Sequence, residues 1–255
     1  MEIEIGGLRC HYVQEGEGRD VLLLHGWGGC VDSWLPVFNH LKERCRVTAL
    51  DFPGHGGSGS PPEEGWSVDE YADFTEEFME KIGIVGCDIV AHSFGGRVTL
   101  LLASRSPEKV GRLLLTGCAG LLPKRGAGYQ LRSGLFKAAK GVLHVLPGGE
   151  ALRKKLGGHL GSADYRALEP GMRATFVKVV NQDLAPCLPG IRAETLLVWG
   201  RNDNETPLWM GQTMEKEIRG AALVVLENAG HFAYLDQCAA FLRIMDAYFF
   251  PPQKQ

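Results

Sequence analysis

The sequence predicts an α/β fold built on a mostly parallel sheet. Short leucine-rich and β-branched runs alternate along the chain with longer stretches of helical periodicity, as parallel strands joined by crossover helices require. The runs Val21-Leu-Leu-Leu-His25 and Leu113-Leu-Leu-Thr116 are apolar without alternation, so their strands are expected to be covered on both faces. At 255 residues, 45% of them hydrophobic, the chain can bury one large core.

Taken in order, strands are expected at Glu2–Ile5, Leu8–Gln14, Val21–His25, Arg46–Asp51, Cys87–His92, Leu113–Thr116, Leu196–Gly200 and Ala222–Leu226. A capping box, Ser67-Val-Asp-Glu70, opens a helix whose Tyr71, Phe74, Phe78 and Ile82 recur at helical spacing. A second helix follows Phe94, and a last one runs to about Phe249, where Pro251 and Pro252 stop it.

Between 119 and 190 the alternation breaks. Helix-like pieces at Tyr129–Val145, Gly149–Leu160 and Met172–Asp183 are separated by Gly and Pro, with no strand between them. We read this stretch as a helical insertion over one end of the sheet, with residues 1–118 and 191–255 forming the core. It carries 11 Lys and Arg against 4 Asp and Glu, a net of +7, whereas the remainder nets −10. Either this is a solvated basic face, or it attracts an anionic substrate or an acyl carrier through Lys124, Arg125, Arg153, Lys154 and Lys155.

A net charge of −3 gives no global attraction to nucleic acid or to an anionic membrane. The start, Met-Glu-Ile-Glu-Ile, lacks the basic and apolar segments of a signal peptide, and no apolar run reaches the ~18 residues of a spanning helix. The seven cysteines are scattered without a Cys-x-x-Cys pair, which points to reduced thiols in a cytoplasm and away from a zinc site.

Ala91-His-Ser93-Phe-Gly95-Gly96 lies between an apolar strand and a helix, where a sharp turn displays a nucleophile. Such a turn needs small residues two before and two after the serine, and Ala91 and Gly95 meet that need. An incidental serine in a glycine-rich junction is the plainer reading, but an acid and a histidine farther along the chain argue against it. Leu197-Val-Trp-Gly-Arg-Asn-Asp203 sets the acid just beyond a strand, with Glu205 as its rival two residues on. Asn228-Ala-Gly-His231 then comes after the last strand, completing the order Ser93, Asp203, His231.

A serine hydroxyl is a weak nucleophile, so an imidazole must take its proton as it attacks. His231 is expected in that role, with Asp203 fixing the ring's tautomer and stabilising the imidazolium. His25-Gly-Trp27-Gly-Gly29 ends a strand and turns sharply, so the backbone N–H of Trp27 is expected to join that of Phe94 as an oxyanion hole. This loop lacks both the Lys-Ser/Thr ending of a P-loop and the G-x-G-x-x-G spacing. His25 and His92 are expected to brace the turns they precede, and the Asp51-Phe-Pro-Gly-His55 loop to be structural. His11, His40, His144 and His159 have no motif context.

Together these motifs resemble the α/β-hydrolase family, with Ala91 standing where the family pattern has glycine. The resemblance implies an eight-stranded, mostly parallel sheet, a cap between strands six and seven, and a pocket between cap and sheet. The His-Gly-Trp-Gly loop with a basic helical cap is also similar to the carboxylesterases that cleave pimeloyl acyl-carrier methyl esters. The expected activity is hydrolysis of a small carboxylic ester without metal or cofactor, Leu121, Leu122, Phe136 and Phe176 being candidates for the pocket wall. Cleavage of a carbon–carbon bond, cleavage of an acyl-carrier or CoA thioester, and ligand binding without turnover are the alternatives.

Overall fold

The computed structural model describes residues 1–122 and 169–251. The helices expected at Tyr129–Val145 and Gly149–Leu160 lie outside the described residues, as do Phe136, His144, His159 and the basic positions Lys124, Arg125, Arg153, Lys154 and Lys155.

Among the described residues, β1 (Glu2–Ile5), β2 (Leu8–Glu15), β3 (Arg19–Leu24), β4 (Cys45–Leu50), β5 (Asp88–His92), β6 (Leu113–Thr116), β7 (Thr195–Gly200) and β8 (Ala222–Leu226) form one sheet. The spatial order is β1-β2-β4-β3-β5-β6-β7-β8. β2 runs antiparallel to both its neighbours, and every later pairing is parallel. The structure has the α/β-hydrolase fold the motifs implied.

Strand burial explains the unalternating runs. Successive side chains of a strand point to opposite faces, so Leu22 and Leu24 join one apolar core and Val21 and Leu23 the other. The first core includes residues of α2 (Val68–Ile82) and α3 (Phe94–Arg105); the second includes those of α1 (Leu35–Leu41) and the last helix, Cys238–Phe249. Each fully buried leucine contributes roughly 1.5–3 kcal/mol.

The capping box at Ser67 is present: the Glu70 carboxylate accepts the Ser67 N–H at 2.7 Å, and the Ser67 hydroxyl accepts the Asp69 N–H at 3.1 Å. At the other end α2 stops on Gly83, whose φ of 72° is the left-handed conformation a helix C-terminus favours. β3 begins two residues before its expected start. Asp20 pairs in register with Arg46 of β4, whose guanidinium Nη2 donates to its carboxylate at 2.8 Å, so polar residues extend the strand.

The helix expected over 172–183, α4, is Pro170–Asn181. Proline at its first position supplies a preset φ, moving the start forward. α4 is tied to the segment before α2 by Trp66 N–H to Thr175 Oγ1 at 2.9 Å and Lys178 Nζ to the Gly65 carbonyl at 2.7 Å. Among the described residues no helix is long and apolar enough to cross a membrane. All seven cysteines are free thiols.

Candidate active site

The carboxyl ends of β5, β7 and β8 bring the three expected residues together. β5 runs directly into Ser93, which has φ 49° and ψ −106°, a conformation costly for any residue with a side chain. The following helix holds it there. The Gly95 N–H donates to the His25 carbonyl at 3.1 Å, and a Cβ on Gly95 would collide with the Leu24 carbonyl oxygen. Ala91 sits in β5 between Leu24 and Leu115, fully buried, so the added methyl is absorbed by the core.

Ser93 Oγ lies 3.0 Å from His231 Nε2, and His231 Nδ1 lies 2.9 Å from Asp203 Oδ2. A carboxylate accepts only, so Nδ1 carries the ring proton and Nε2 is left to accept from the serine hydroxyl. Burial pushes the Asp203 carboxyl up, but hydrogen bonds from His231 and Thr206 outweigh it and hold the group below its ordinary value. Asp203 is therefore ionised near neutral pH. Glu205, its rival, is exposed; its backbone N–H donates to Asp203 Oδ1 at 2.9 Å.

Thr206 is a residue the sequence reading missed. Its N–H donates to Asp203 Oδ1 at 2.8 Å, and its hydroxyl lies 2.7 Å from Asp203 Oδ2, 3.0 Å from the Gly117 carbonyl and 3.2 Å from His231 Nδ1. The available signal was the Asp-x-x-Thr spacing, which lets an aspartate accept backbone N–H groups of its own turn.

The bracing histidines sit as expected. His25 donates Nδ1–H to the Gly26 carbonyl at 2.7 Å and accepts the Phe52 N–H on Nε2 at 3.1 Å. His92 donates Nε2–H to the His231 carbonyl at 3.0 Å. Burial, reinforced by His55, pushes His25 down to about 4; burial and His231 push His92 down to about 3. Both rings are neutral. His11, without a motif, pairs through Nδ1 with Asp51 at 2.7 Å, and that carboxylate also accepts the N–H groups of Val31 and Gly57. The Asp51 loop is thus pinned to β2.

A cavity of about 600 Å³ opens beside Ser93, and Trp27, Phe94 and Phe176 line it. Trp27 meets Phe94 and Phe176 edge-on, with ring centroids 5.4 and 5.3 Å away. Gly26 lets this loop approach Ser93 closely, since a Cβ there would stand 2.7 Å from His92 Nδ1. Phe94 opens α3, so its N–H belongs to a helix N-terminus suited to negative charge. Phe176 thus meets its expectation, but Leu121 and Leu122 do not. They line a second cavity with Asp183 and Trp209, next to a Gly120 carbonyl that accepts the Leu184 N–H at 2.9 Å.

The sequence profile of the alpha/beta hydrolase family matches residues 21–244. The chain is 30% identical to a 2-hydroxymuconate semialdehyde hydrolase of Pseudomonas putida, over 97% of this chain and 92% of that protein. Among solved structures, a membrane phospholipase A described as a bacterial virulence factor superposes with a TM-score of 0.76 at 27% identity, covering 97% of this chain and 84% of that one. The meta-cleavage product hydrolase of Pseudomonas fluorescens IP01 shares the fold, with a TM-score of 0.74 at 24% identity over 98% and 97% of the two chains.

Proposed function

The chain belongs to the alpha/beta hydrolase family, and from that premise we propose that it is a serine hydrolase cleaving carboxylic esters through an acyl-enzyme on Ser93. The observation that carries this reading is the unbroken relay from Ser93 Oγ through both nitrogens of His231 to Asp203, at 3.0 and 2.9 Å.

In the first step Ser93 Oγ bonds to the ester carbonyl carbon while its proton passes to His231 Nε2. The carbonyl oxygen becomes an oxyanion, held by the backbone N–H groups of Trp27 and Phe94; one such donor is typically worth ~2.7–4 kcal/mol. Asp203 stabilises the imidazolium. His231 then gives its proton to the departing alkoxide as the carbon–oxygen bond breaks, leaving an acyl-Ser93 and an alcohol. Water attacks the acyl carbon, losing a proton to His231, and collapse returns that proton to Ser93 and releases the acid. The roles use protein groups throughout.

The seven free thiols favour a reducing compartment, and we place the protein in the cytoplasm on that ground. The net charge of +7 over 119–190 extends the proposal to an anionic substrate or acyl carrier drawn to that stretch.

One observation favours a second reading, carbon–carbon bond hydrolysis: the 30% identity with a 2-hydroxymuconate semialdehyde hydrolase. The two separate by comparing kcat/KM for 4-nitrophenyl esters, acetate to hexanoate, with that for a 2-hydroxy-6-oxo-dienoate. Higher kcat/KM on esters is the expected result. A preference for the dienoate by an order of magnitude or more would transfer the assignment to the second reading.

A further inference from the structure

The cavity holds a guanidinium that acyl transfer does not use. Arg97 lies four residues past Ser93 on α3, about 6 Å farther along the helix axis. It is 8% exposed, and it lines the same cavity as Ser93 and His231. Apart from Arg97, α3 is uncharged from Phe94 to Ser104.

Nη1 donates to the Val179 carbonyl at 2.9 Å and the Gln182 carbonyl at 3.0 Å, so both its hydrogens are engaged at the C-terminal end of α4. Nε and Nη2 have no acceptor among the described residues, and neither is a fully enclosed nitrogen. Arg97 lines the cavity, and that edge of the fork is free for an acceptor there.

No carboxylate among the described residues forms an ion pair with Arg97. Asp183 acts on its charge from farther off, and Asp183 Oδ1 accepts the Ala185 N–H at 3.2 Å. Glu205, the cavity's other charged residue, is exposed. Taking a guanidinium out of water without an anion is unfavourable, and two carbonyls offset it only in part. A strut between α3 and α4 would account for Nη1 alone; the planar Nε and Nη2 edge matches a carboxylate's two oxygens.

We infer that Arg97 is a carboxylate-binding subsite of the catalytic cavity, and that the natural substrate carries a free carboxylate several atoms away from the bond it loses. The cleavage part of this inference rests on the proposed role of Ser93. The binding part does not.

Two assays keep these apart. In the first, 4-nitrophenyl hydrogen adipate is compared with 4-nitrophenyl hexanoate, after subtracting spontaneous hydrolysis. Wild type is expected to favour the carboxylated ester by about tenfold or more in kcat/KM, the effect of a charge-assisted hydrogen bond. Arg97→Gln keeps a donor for the α4 carbonyls and is expected to lose that preference, bringing kcat/KM for the two esters to within about threefold of each other. Arg97→Lys, which retains the charge, is expected to keep part of the preference and serves if the glutamine variant does not fold. No preference in wild type, or equal loss on both esters in the variants, would leave Arg97 a strut and overturn the inference.

In the second assay, calorimetry with Ser93→Ala compares monomethyl adipate with methyl hexanoate. About tenfold tighter binding of the carboxylated ester, abolished by adding Arg97→Gln, supports the subsite even if wild type turns over neither nitrophenyl ester. That combination would sink the ester reading alone. Equal binding would sink the subsite.

Discussion

Thr206 Oγ1 lies 2.7 Å from Asp203 Oδ2, the oxygen that also accepts the His231 Nδ1–H. The hydroxyl has one hydrogen and two acceptors in reach, Asp203 and the Gly117 carbonyl. An ionised Asp203 draws it, and the carboxylate is then held in the plane its histidine needs. Thr206→Val keeps the shape and removes the hydrogen bond. We expect kcat to fall about tenfold with KM little changed, given the ~1.5–3 kcal/mol of a hydrogen bond to a charged group. Thr206→Ser should recover most of the loss. Steady-state kinetics on one ester, with melting temperatures alongside, read the result; equal loss in kcat and stability without rescue by serine would point to packing alone.

Asp203 and Glu205 are separable by the same assay. Asp203→Asn should lower kcat by about 10⁴, the scale of a triad whose histidine is left in the wrong tautomer. Glu205→Gln, which leaves the backbone N–H bond to Asp203 in place, should cost at most about tenfold. A reversal of that order would make Glu205 the acid.

Much of this arrangement was legible in the chain because short-range rules govern it. Parallel strands buried on both faces must read as unbroken apolar runs, and Val21 to Leu24 do so. Ser67 and Glu70 announce their helix through backbone bonds three residues apart. The order Ser93, Asp203, His231 is visible because each of the three follows a strand at the same sheet edge. What escaped is set by contacts distant in sequence. Arg97 reaches α4 over 82 residues, His11 reaches Asp51 over 40, and Leu121 lines another cavity beside Trp209. No local pattern encodes those distances, although Arg97 stands alone as a charge between Phe94 and Ser104 of an apolar helix.

Gly95 carries the turn that displays Ser93. Because its Cβ would meet the Leu24 carbonyl, Gly95→Ala should force Ser93 out of its conformation and destabilise the fold by roughly 1–3 kcal/mol, as overpacked cores do. Urea denaturation measures the first effect and ester turnover the second. An alanine variant as stable and active as wild type would mean that the turn does not constrain Ser93.

Acid should weaken the protein. His25 and His92 are held at about 4 and about 3, against 6.5 for a free histidine. Below 6.5 the unfolded chain therefore binds protons on these rings that the folded chain refuses. Stability is complete above that pH and falls as pH drops from about 6.5 toward 4, by up to about 1.4 kcal/mol per unit for each ring. Asp203 acts in the same direction at lower pH, because its folded value is depressed and its contribution is lost as pH falls through it. Urea midpoints at pH 7.5, 6 and 5 test this, with His92→Gln expected to flatten the slope. Unchanged midpoints would show that these rings are not held neutral.

Hydrolysis of 4-nitrophenyl butyrate by wild type and Ser93→Ala, run in parallel, tests the nucleophile most directly. The structure predicts turnover by wild type and a loss of about 10⁴-fold or more in the variant; equal turnover by the two proteins would contradict the assignment of Ser93.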